Sequence, residues 1–304
     1  MNIRPNWEQV SQRISQKYSL EEYNSAWTSE CNSWLIQLVN HFGNDYHIVE
    51  TQNFSIVTNE SDRYNKVFSE FLERTLKRIT KSLAGIASDD GYGKHVAIIF
   101  RDVEQYYDYV SLFFPEEGEF GLSSGMFIDE GYGHFAFPQQ DITLAEPIAV
   151  HELTHACLAH LSIPTWLNEG LAVFMEEVLA GNGLELNNNV ILDHRRYWNS
   201  ENIQMYWTGK SFLSADEGQG LSYHLSHLIT RNISNDYRAF SNFVNSASLM
   251  DAGASACLDH LGVSLGQLVS IALGEGNWEP NQKALNTWLK PDGGVEAKEG
   301  EDNG

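Results

Sequence analysis

The chain has 304 residues, 42% of them hydrophobic, so it can bury a substantial core in one large domain or two modest ones. Its formal net charge is −22, from 19 Lys and Arg against 41 Asp and Glu. That charge argues against nucleic acid or an anionic membrane surface as a partner, because both are polyanions.

Cysteine content and the absence of long apolar runs bear on the compartment. Cys31, Cys157 and Cys257 are far apart and form no C-x-x-C pair, which is more typical of a reducing compartment than of a disulfide framework. The N-terminal residues lack the apolar stretch of a signal peptide, and no run of about 18 apolar residues occurs. We therefore expect a soluble, cytoplasmic protein with no membrane partner. The pattern predicts nothing about oligomeric state.

The first half of the chain predicts both helices and short strands. Apolar residues at three- and four-residue steps indicate helices over 6–42, 61–83 and 102–113. Strand-like runs lie at 47–51, 54–58 and 96–100. Two further runs, 125–128 and 134–137, flank a turn-forming segment and are typical of a hairpin.

The second half predicts helices only. Pro147 suits the first turn of a helix that runs to about Ser162, and Pro164 ends that helix. The next helix covers roughly 165–180 and stops at Gly181. Residues 184–217 have no clear pattern, 219–290 are helical in pattern, and the Gly- and Glu-rich tail is predicted to be disordered.

This order of elements predicts an α+β fold, in which a small mixed β-sheet packs on helices and a mainly helical C-terminal lobe follows. The predicted parts are an N-terminal helical segment at 1–44, an α+β core at 45–180, a helical lobe at 181–290 and an acidic tail at 291–304.

The segment His151-Glu152-Leu153-Thr154-His155 matches the pattern H-E-x-x-H. A four-residue step on a helix returns to nearly the same face, so two imidazoles there can bind one metal ion. Glu152 then lies beside the metal, where it can take a proton from a metal-bound water. The pattern predicts a zinc site with Glu152 as general base.

A catalytic zinc needs a third protein ligand. Glu169 is the leading candidate, because a carboxylate flanked by Trp166, Leu167, Leu171 and Ala172 is costly to bury unless it binds a partner. His160 is the alternative, although it lies five residues after His155 and lacks the glycine turn that metzincins place before their third histidine.

His151 to His155, together with Trp-Leu-Asn-Glu-Gly-Leu-Ala-Val-Phe-Met-Glu at 166–176, resembles the gluzincin peptidases. These two motifs are most similar to those of the aminopeptidase-N-like family and its compact peptidase-MA-like relatives. The resemblance in sequence covers about 125–180. In the order of helices and strands alone it extends over about 45–275. It implies a zincin-like fold, His151, His155 and Glu169 as ligands of one Zn²⁺, and an edge strand at Gly125, Met126 and Phe127 that pairs with the substrate backbone.

The sequence also departs from that family. The gap between His155 and Glu169 is shorter than in aminopeptidase N or thermolysin. The stretch 125–130 has no Glu in register with the residue that holds a substrate amine in aminopeptidases. The family's oxyanion-stabilising Tyr has no counterpart near 217–220, which leaves Tyr223 and His224 as candidates for that hydrogen bond.

Other candidates rest on single observations. Glu176 lies two turns after Glu169 and is a candidate to hold a metal-binding histidine from outside the ligand shell. His134 is expected on the surface of its strand and Cys157 in the core. The scattered histidines have no assigned role, namely His194, His224, His227 and His260.

These observations predict a zinc-dependent metallopeptidase acting on peptides or proteins. The alternatives are a zincin-fold binding or regulatory protein with little activity, a zinc hydrolase of a non-peptide amide, and a purely structural zinc site. The substrate and the choice between exo- and endopeptidase cleavage do not follow from the sequence.

Overall fold

A computed structural model of the protein describes residues 3–114, 123–181 and 188–288. Its α-helices, in chain order, are α1 (Trp7–Lys17), α2 (Tyr23–Phe42), α3 (Asp62–Ser82), α4 (Val103–Val110), α5 (Ile142–Leu158), α6 (Thr165–Ala180), α7 (Asn188–Tyr197), α8 (Ile203–Trp207), α9 (Glu217–Ile233), α10 (Tyr237–Ser246), α11 (Ala254–Leu261), α12 (Leu265–Leu273) and α13 (Gln282–Trp288). Its strands are β1 (His47–Glu50), β2 (Phe54–Thr58), β3 (His95–Phe100), β4 (Met126–Ile128) and β5 (His134–Pro138). The protein is therefore mixed α+β, as predicted. The predicted tail at 291–304 lies outside the described residues.

The described chain forms two compact units, and the first comprises residues 3–113 and 123–159. This unit contains one five-stranded sheet of order β1-β2-β3-β5-β4. Strands β2, β3 and β5 are parallel, whereas β1 and β4 pair antiparallel at the two edges. A parallel centre is covered on both faces, which explains the continuous apolar run of β3, where Val96 to Phe100 are fully buried.

Helix α5 packs against α3 and against strands β4 and β5. Its apolar residues point in nearly all directions, and Ala145, Val150, Leu153 and Cys157 are fully buried. A helix that is apolar all round belongs inside a core rather than on a surface. The polar residues of the motif are thus carried by one of the most buried helices of this unit.

The second unit comprises residues 114, 160–181 and 188–288 of the described chain, and its elements are all helical. Helix α6 packs along α9 and also contacts α8. The Asp216 carboxylate caps α9 by accepting a hydrogen bond from the Gly218 N–H at 2.8 Å. Trp166 of α6 is fully buried and donates its indole N–H to the Ala252 carbonyl at 2.9 Å. These contacts anchor the start of α6.

The helix bounds differ most from the predicted ones at two places. The segment 6–42 is two helices, because Ser19 and Glu22 form a capping box that starts a short 3₁₀ turn before α2. Helix α5 begins at Ile142 and ends at Leu158, so Pro147 lies inside it and Ser162 beyond it. Its first turn is closed by Leu144 and Ala145, whose N–H groups donate to the Asp141 carbonyl before the proline is reached.

Within the described residues, no single helix has the length and apolar character needed to cross a membrane. Helices α11 and α12 pass that test only as a pair, and they are bent by 85° at the break between them.

Candidate metal centre

The histidines of the motif lie in the last two turns of α5. The ring centroids of His151 and His155 are 4.7 Å apart, with an angle of 76° between the ring planes. Both residues are half-buried, whereas Leu153 and Thr154 between them are fully buried. The helix repeat therefore sets two imidazoles side by side on the more open side of an otherwise apolar helix.

Glu169, the fifth residue of α6, is half-buried. One ligand atom from each of His151, His155 and Glu169 lies within 4.8 Å of the other two, and no other such group of three His, Cys, Asp or Glu occurs in the described residues. The alternative ligand His160 is exposed and is not part of this group.

The three side chains fit the requirements of zinc. Donor atoms bound to one zinc at about 2.0–2.2 Å lie roughly 3–4 Å apart, so small adjustments of these side chains suffice to hold an ion. Two imidazole nitrogens and one carboxylate oxygen are a donor set found in catalytic zinc sites, which keep a fourth position for water or substrate.

Glu152 is buried, with 6% of its surface exposed, and its carboxylate lies close to the start of β4. A methyl group in place of the Gly125 hydrogen would lie 2.5 Å from Ile148 Cγ2 and 3.4 Å from Glu152 Oε1. Strand β4 is an edge of the sheet, so one side of its backbone has no strand partner in the described chain. The predicted substrate strand, at Gly125, Met126 and Phe127, thus begins beside the predicted general base.

Two tyrosines of α4 form hydrogen bonds with Ser123, which precedes β4 by three residues. The Tyr106 hydroxyl is 2.7 Å from Ser123 Oγ, and the Tyr107 hydroxyl donates to the Ser123 carbonyl at 3.3 Å. Burial raises the pKa of Tyr106 well above its usual range, and the charge of Glu152 raises it further. Tyr106 is therefore a neutral phenol that fixes the approach to the edge strand.

The backbone of α6 makes a close approach to α9 beside Glu169. A methyl group on Gly170 would lie 2.4 Å from Thr230 Oγ1 and 2.8 Å from the Ser226 carbonyl oxygen. Only glycine allows this separation of the two helices. The position of Glu169 in the second unit therefore depends on a packing contact made by its neighbour in the chain.

The remaining predicted residues of the site lie on α6 and α9. Glu176 is half-buried on α6, and its predicted role toward a metal-binding histidine stays a prediction. Tyr223 is half-buried on α9, with its ring edge-to-face against Phe212 at 5.2 Å. His224, the next residue, is 95% buried.

His224 belongs to a chain of hydrogen bonds that sequence analysis missed. The Trp198 indole N–H donates to His194 Nδ1 at 3.0 Å, and His194 Nε2 is 2.6 Å from His224 Nδ1. An indole nitrogen can only donate, so His194 carries its proton on Nε2 and donates it to His224. His224 must then carry its proton on Nε2.

That Nε2–H of His224 is buried and has no hydrogen-bond partner among the described residues. Burial, and to a smaller extent the neighbouring imidazoles, lower the pKa of His194 and of His224 to about 4. The two rings are therefore neutral near pH 7. The hydrogen bonds to Trp198 and His194 thus fix the proton of His224 on Nε2, where it can be donated to an oxygen acceptor.

The expectation that His134 lies on the surface is wrong. Its side chain is 1% exposed, and its Nδ1 and Nε2 lie 2.7 Å from the Tyr132 carbonyl oxygen and 2.9 Å from the Tyr109 hydroxyl. Because both ring nitrogens have partners, the ring can be buried without an orphaned polar atom. Cys157 is fully buried, as predicted, and burial raises its pKa to about 12.

Comparison of the chain with protein-family models and with curated proteins gives no match.

Proposed function

We propose that the protein is a zinc metallopeptidase of the gluzincin type, with a zincin-like arrangement of sheet and motif helix. One zinc ion is held by His151, His155 and Glu169. The observation that carries the proposal is the convergence of these three side chains, with ligand atoms within 4.8 Å of one another. Further support comes from β4 and β5, which pack on the same helix that carries the two histidines.

Zinc bound by these ligands would supply a Lewis acid for the substrate carbonyl and lower the pKa of a bound water. Glu152 accepts the proton of the attacking water and later passes it to the nitrogen of the leaving amine. Its buried position beside Ile148 and Gly125, at the start of the strand proposed to hold the substrate, supports this role.

The substrate is an extended peptide that pairs with the open edge of β4 at Gly125, Met126 and Phe127. Main-chain hydrogen bonds to an exposed sheet edge are a common way of holding a peptide without regard to most of its side chains. The close approach of Gly125 to Glu152 supports this binding mode, because it brings that edge alongside the proposed general base.

We assign the hydrogen bond to the developing oxyanion to His224 rather than to Tyr223. His224 has a buried Nε2–H whose proton is fixed through His194 by Trp198, and a donor set in advance stabilises charge without reorganisation.

The ligand assignment is tested by metal analysis of the purified wild type and of three variants. We expect about one zinc per chain in the wild type and large losses in His151→Ala and Glu169→Ala. The matched control is His160→Ala, which removes an exposed imidazole close to the motif and should leave the zinc content unchanged. Unchanged zinc in Glu169→Ala would remove Glu169 from the ligand set.

The catalytic assignment is tested by cleavage of a broad peptide library. Glu152→Gln should keep its zinc and lose about 10²–10⁴-fold in rate, because a glutamine amide cannot accept the proton. Glu146→Gln, on the same helix, is the matched control and should cleave normally. A wild type that holds zinc and cleaves no peptide at any pH would favour the binding protein, or the amide hydrolase if mass spectrometry detects another product.

A further inference from the structure

A cavity of about 460 Å³ lies in the first unit, and none of the residues proposed to act in hydrolysis lines it. It is bounded by the N-terminal segment, by α2 and by the turn between β4 and β5. The side chains that give it its character are three aromatic rings, two carboxylates and one guanidinium, namely Trp7, Trp34, Phe113, Glu8, Glu130 and Arg4.

The aromatic walls are held in place by packing and by a backbone contact. The rings of Trp7 and Trp34 are perpendicular, with centroids 5.4 Å apart. The Trp34 indole N–H donates to the Ile3 carbonyl at 2.9 Å, which fixes the N-terminal segment along one side. Gly131 allows the turn to approach closely, because a methyl group there would lie 2.0 Å from Trp7 Cδ1.

The contacts of Arg4 indicate which kind of chemical group fits the wall of the cavity. Its guanidinium lies 4.5 Å from the centroid of the Phe113 ring, and it donates to the Glu130 carboxylate and to the Leu112 carbonyl. An aromatic face, a carboxylate and a carbonyl together match the flat, charged and donor-rich guanidinium better than any other side-chain group.

This internal contact is weakly held. The side chains of Arg4 and Glu130 are 38% and 55% exposed, and water screens an ion pair with such exposure. A guanidinium from another molecule would meet the same ring, carboxylate and carbonyl, with Glu8 as a second carboxylate on the wall. The net charge of −22 favours the approach of a cation.

We infer that this cavity, with Phe113, Glu130 and the Leu112 carbonyl as its recognition groups, binds an arginine side chain of a basic peptide, and that Arg4 is its built-in competitor. The inference does not depend on the proposed hydrolysis, since none of these residues takes part in that reaction. A competing internal group lowers the apparent affinity by the fraction of molecules in which it occupies the site.

The test uses the full chain and the probe N-acetyl-arginine amide, with binding followed by tryptophan fluorescence and by calorimetry. Arg4→Ala should bind the probe about two- to sixfold more tightly than the wild type, the gain expected on removing an internal competitor held by an exposed ion pair. The neutral isostere N-acetyl-citrulline amide should not bind, and Glu130→Gln in the Arg4→Ala background should abolish binding of the arginine probe. Arg13→Ala is the matched control, because Arg13 is an exposed arginine with its own partner, Glu30 at 2.7 Å, and it should match the wild type.

Equal binding of the arginine and citrulline probes, or no saturable binding to Arg4→Ala, would overturn the inference. Arg4→Gln guards against a folding artefact, since it keeps a donor for the Leu112 carbonyl while it removes the charge. It should bind the probe as Arg4→Ala does. If both variants unfold, Arg4 is a structural part of the wall and the inference fails.

Discussion

Gly125 and Glu152 are neighbours where the start of β4 passes over α5, and the space left by the missing side chain of Gly125 is filled by Ile148 beside the Glu152 carboxylate. A methyl group at residue 125 would lie 3.4 Å from Glu152 Oε1 and 2.5 Å from Ile148 Cγ2. A side chain added at Gly125 therefore collides with Ile148 immediately beside the proposed general base, at the start of the edge strand.

Gly125→Ala should cost about 1–3 kcal/mol of stability, because the strand or Ile148 must move to admit the methyl group. Peptide cleavage should fall by up to about 10²-fold, since displacements near 1 Å have such effects on reacting groups. Chemical denaturation and cleavage kinetics measure the two effects. Gly91→Ala is the control, because nothing lies within 4 Å of the added methyl group, and it should change neither quantity. Equal behaviour of the two variants would contradict the proposed contact.

Gly170→Ala should disturb the second unit and the position of Glu169. Its methyl group would lie 2.8 Å from the Ser226 carbonyl oxygen, which belongs to the α9 backbone and cannot rotate away. We expect a loss of about 1–3 kcal/mol in the free energy of unfolding, together with weaker zinc binding. Gly220→Ala, in α9 with no atom within 4 Å of its methyl group, should instead be neutral or slightly stabilising. Zinc affinity equal to wild type in Gly170→Ala would show that Glu169 does not depend on this packing.

Trp198→Phe should remove the hydrogen bond that fixes which ring nitrogen of His194 carries the proton. Through His194 it should also remove that constraint on His224. The variant removes the only donor described for His194 Nδ1, so His224 no longer carries its proton on Nε2 by necessity. We expect a lower kcat with little change in KM, and altered imidazole ¹⁵N chemical shifts for His224. Trp207→Phe is the control: it loses an indole hydrogen bond of the same kind, to the Trp278 carbonyl at 2.7 Å, outside the chain of histidines. Identical ¹⁵N shifts for His224 in Trp198→Phe and wild type would refute the assignment.

His134 should make the folded state sensitive to acid. Burial lowers its pKa from 6.5 to about 4, and the contact with the Tyr132 carbonyl opposes that shift only in part. Between these two values the unfolded chain binds a proton that the folded chain does not, so the free energy of unfolding decreases as the pH falls from about 6.5 to about 4. The contribution of one such histidine has a limiting slope of about 1.4 kcal/mol per pH unit.

This slope is measured by urea unfolding at a series of pH values. His134→Asn keeps a donor near the position of Nδ1 but cannot titrate, so its curve should be flatter than that of the wild type over this range. His41→Asn, which replaces an exposed histidine of α2, should leave the curve unchanged. A wild-type slope retained in His134→Asn would show that His134 does not contribute to the acid sensitivity, which would then come from groups such as His194 and His224.

Most elements of the first unit could be predicted because their causes are local. The apolar run at 96–100 and the short strand-like runs on either side of the turn at 129–133 are properties of consecutive residues, and they correspond to β3, β4 and β5. The bounds of α5 were less predictable, since Pro147 is compatible both with a first turn and with a turn already closed by Asp141.

The neighbourhood of His151 and His155 follows from the sequence alone, because a four-residue step on a helix fixes it whatever the rest of the chain does. The pairing of His194 with His224, the burial of His134 and the approach of Gly125 to Glu152 were decided only by tertiary structure. Each of these features joins residues far apart along the chain, as His134 and Tyr109 are, at separations that bear no relation to a helix or strand repeat. Periodicity therefore holds no information about them, and only the packing of distant segments brings the atoms together.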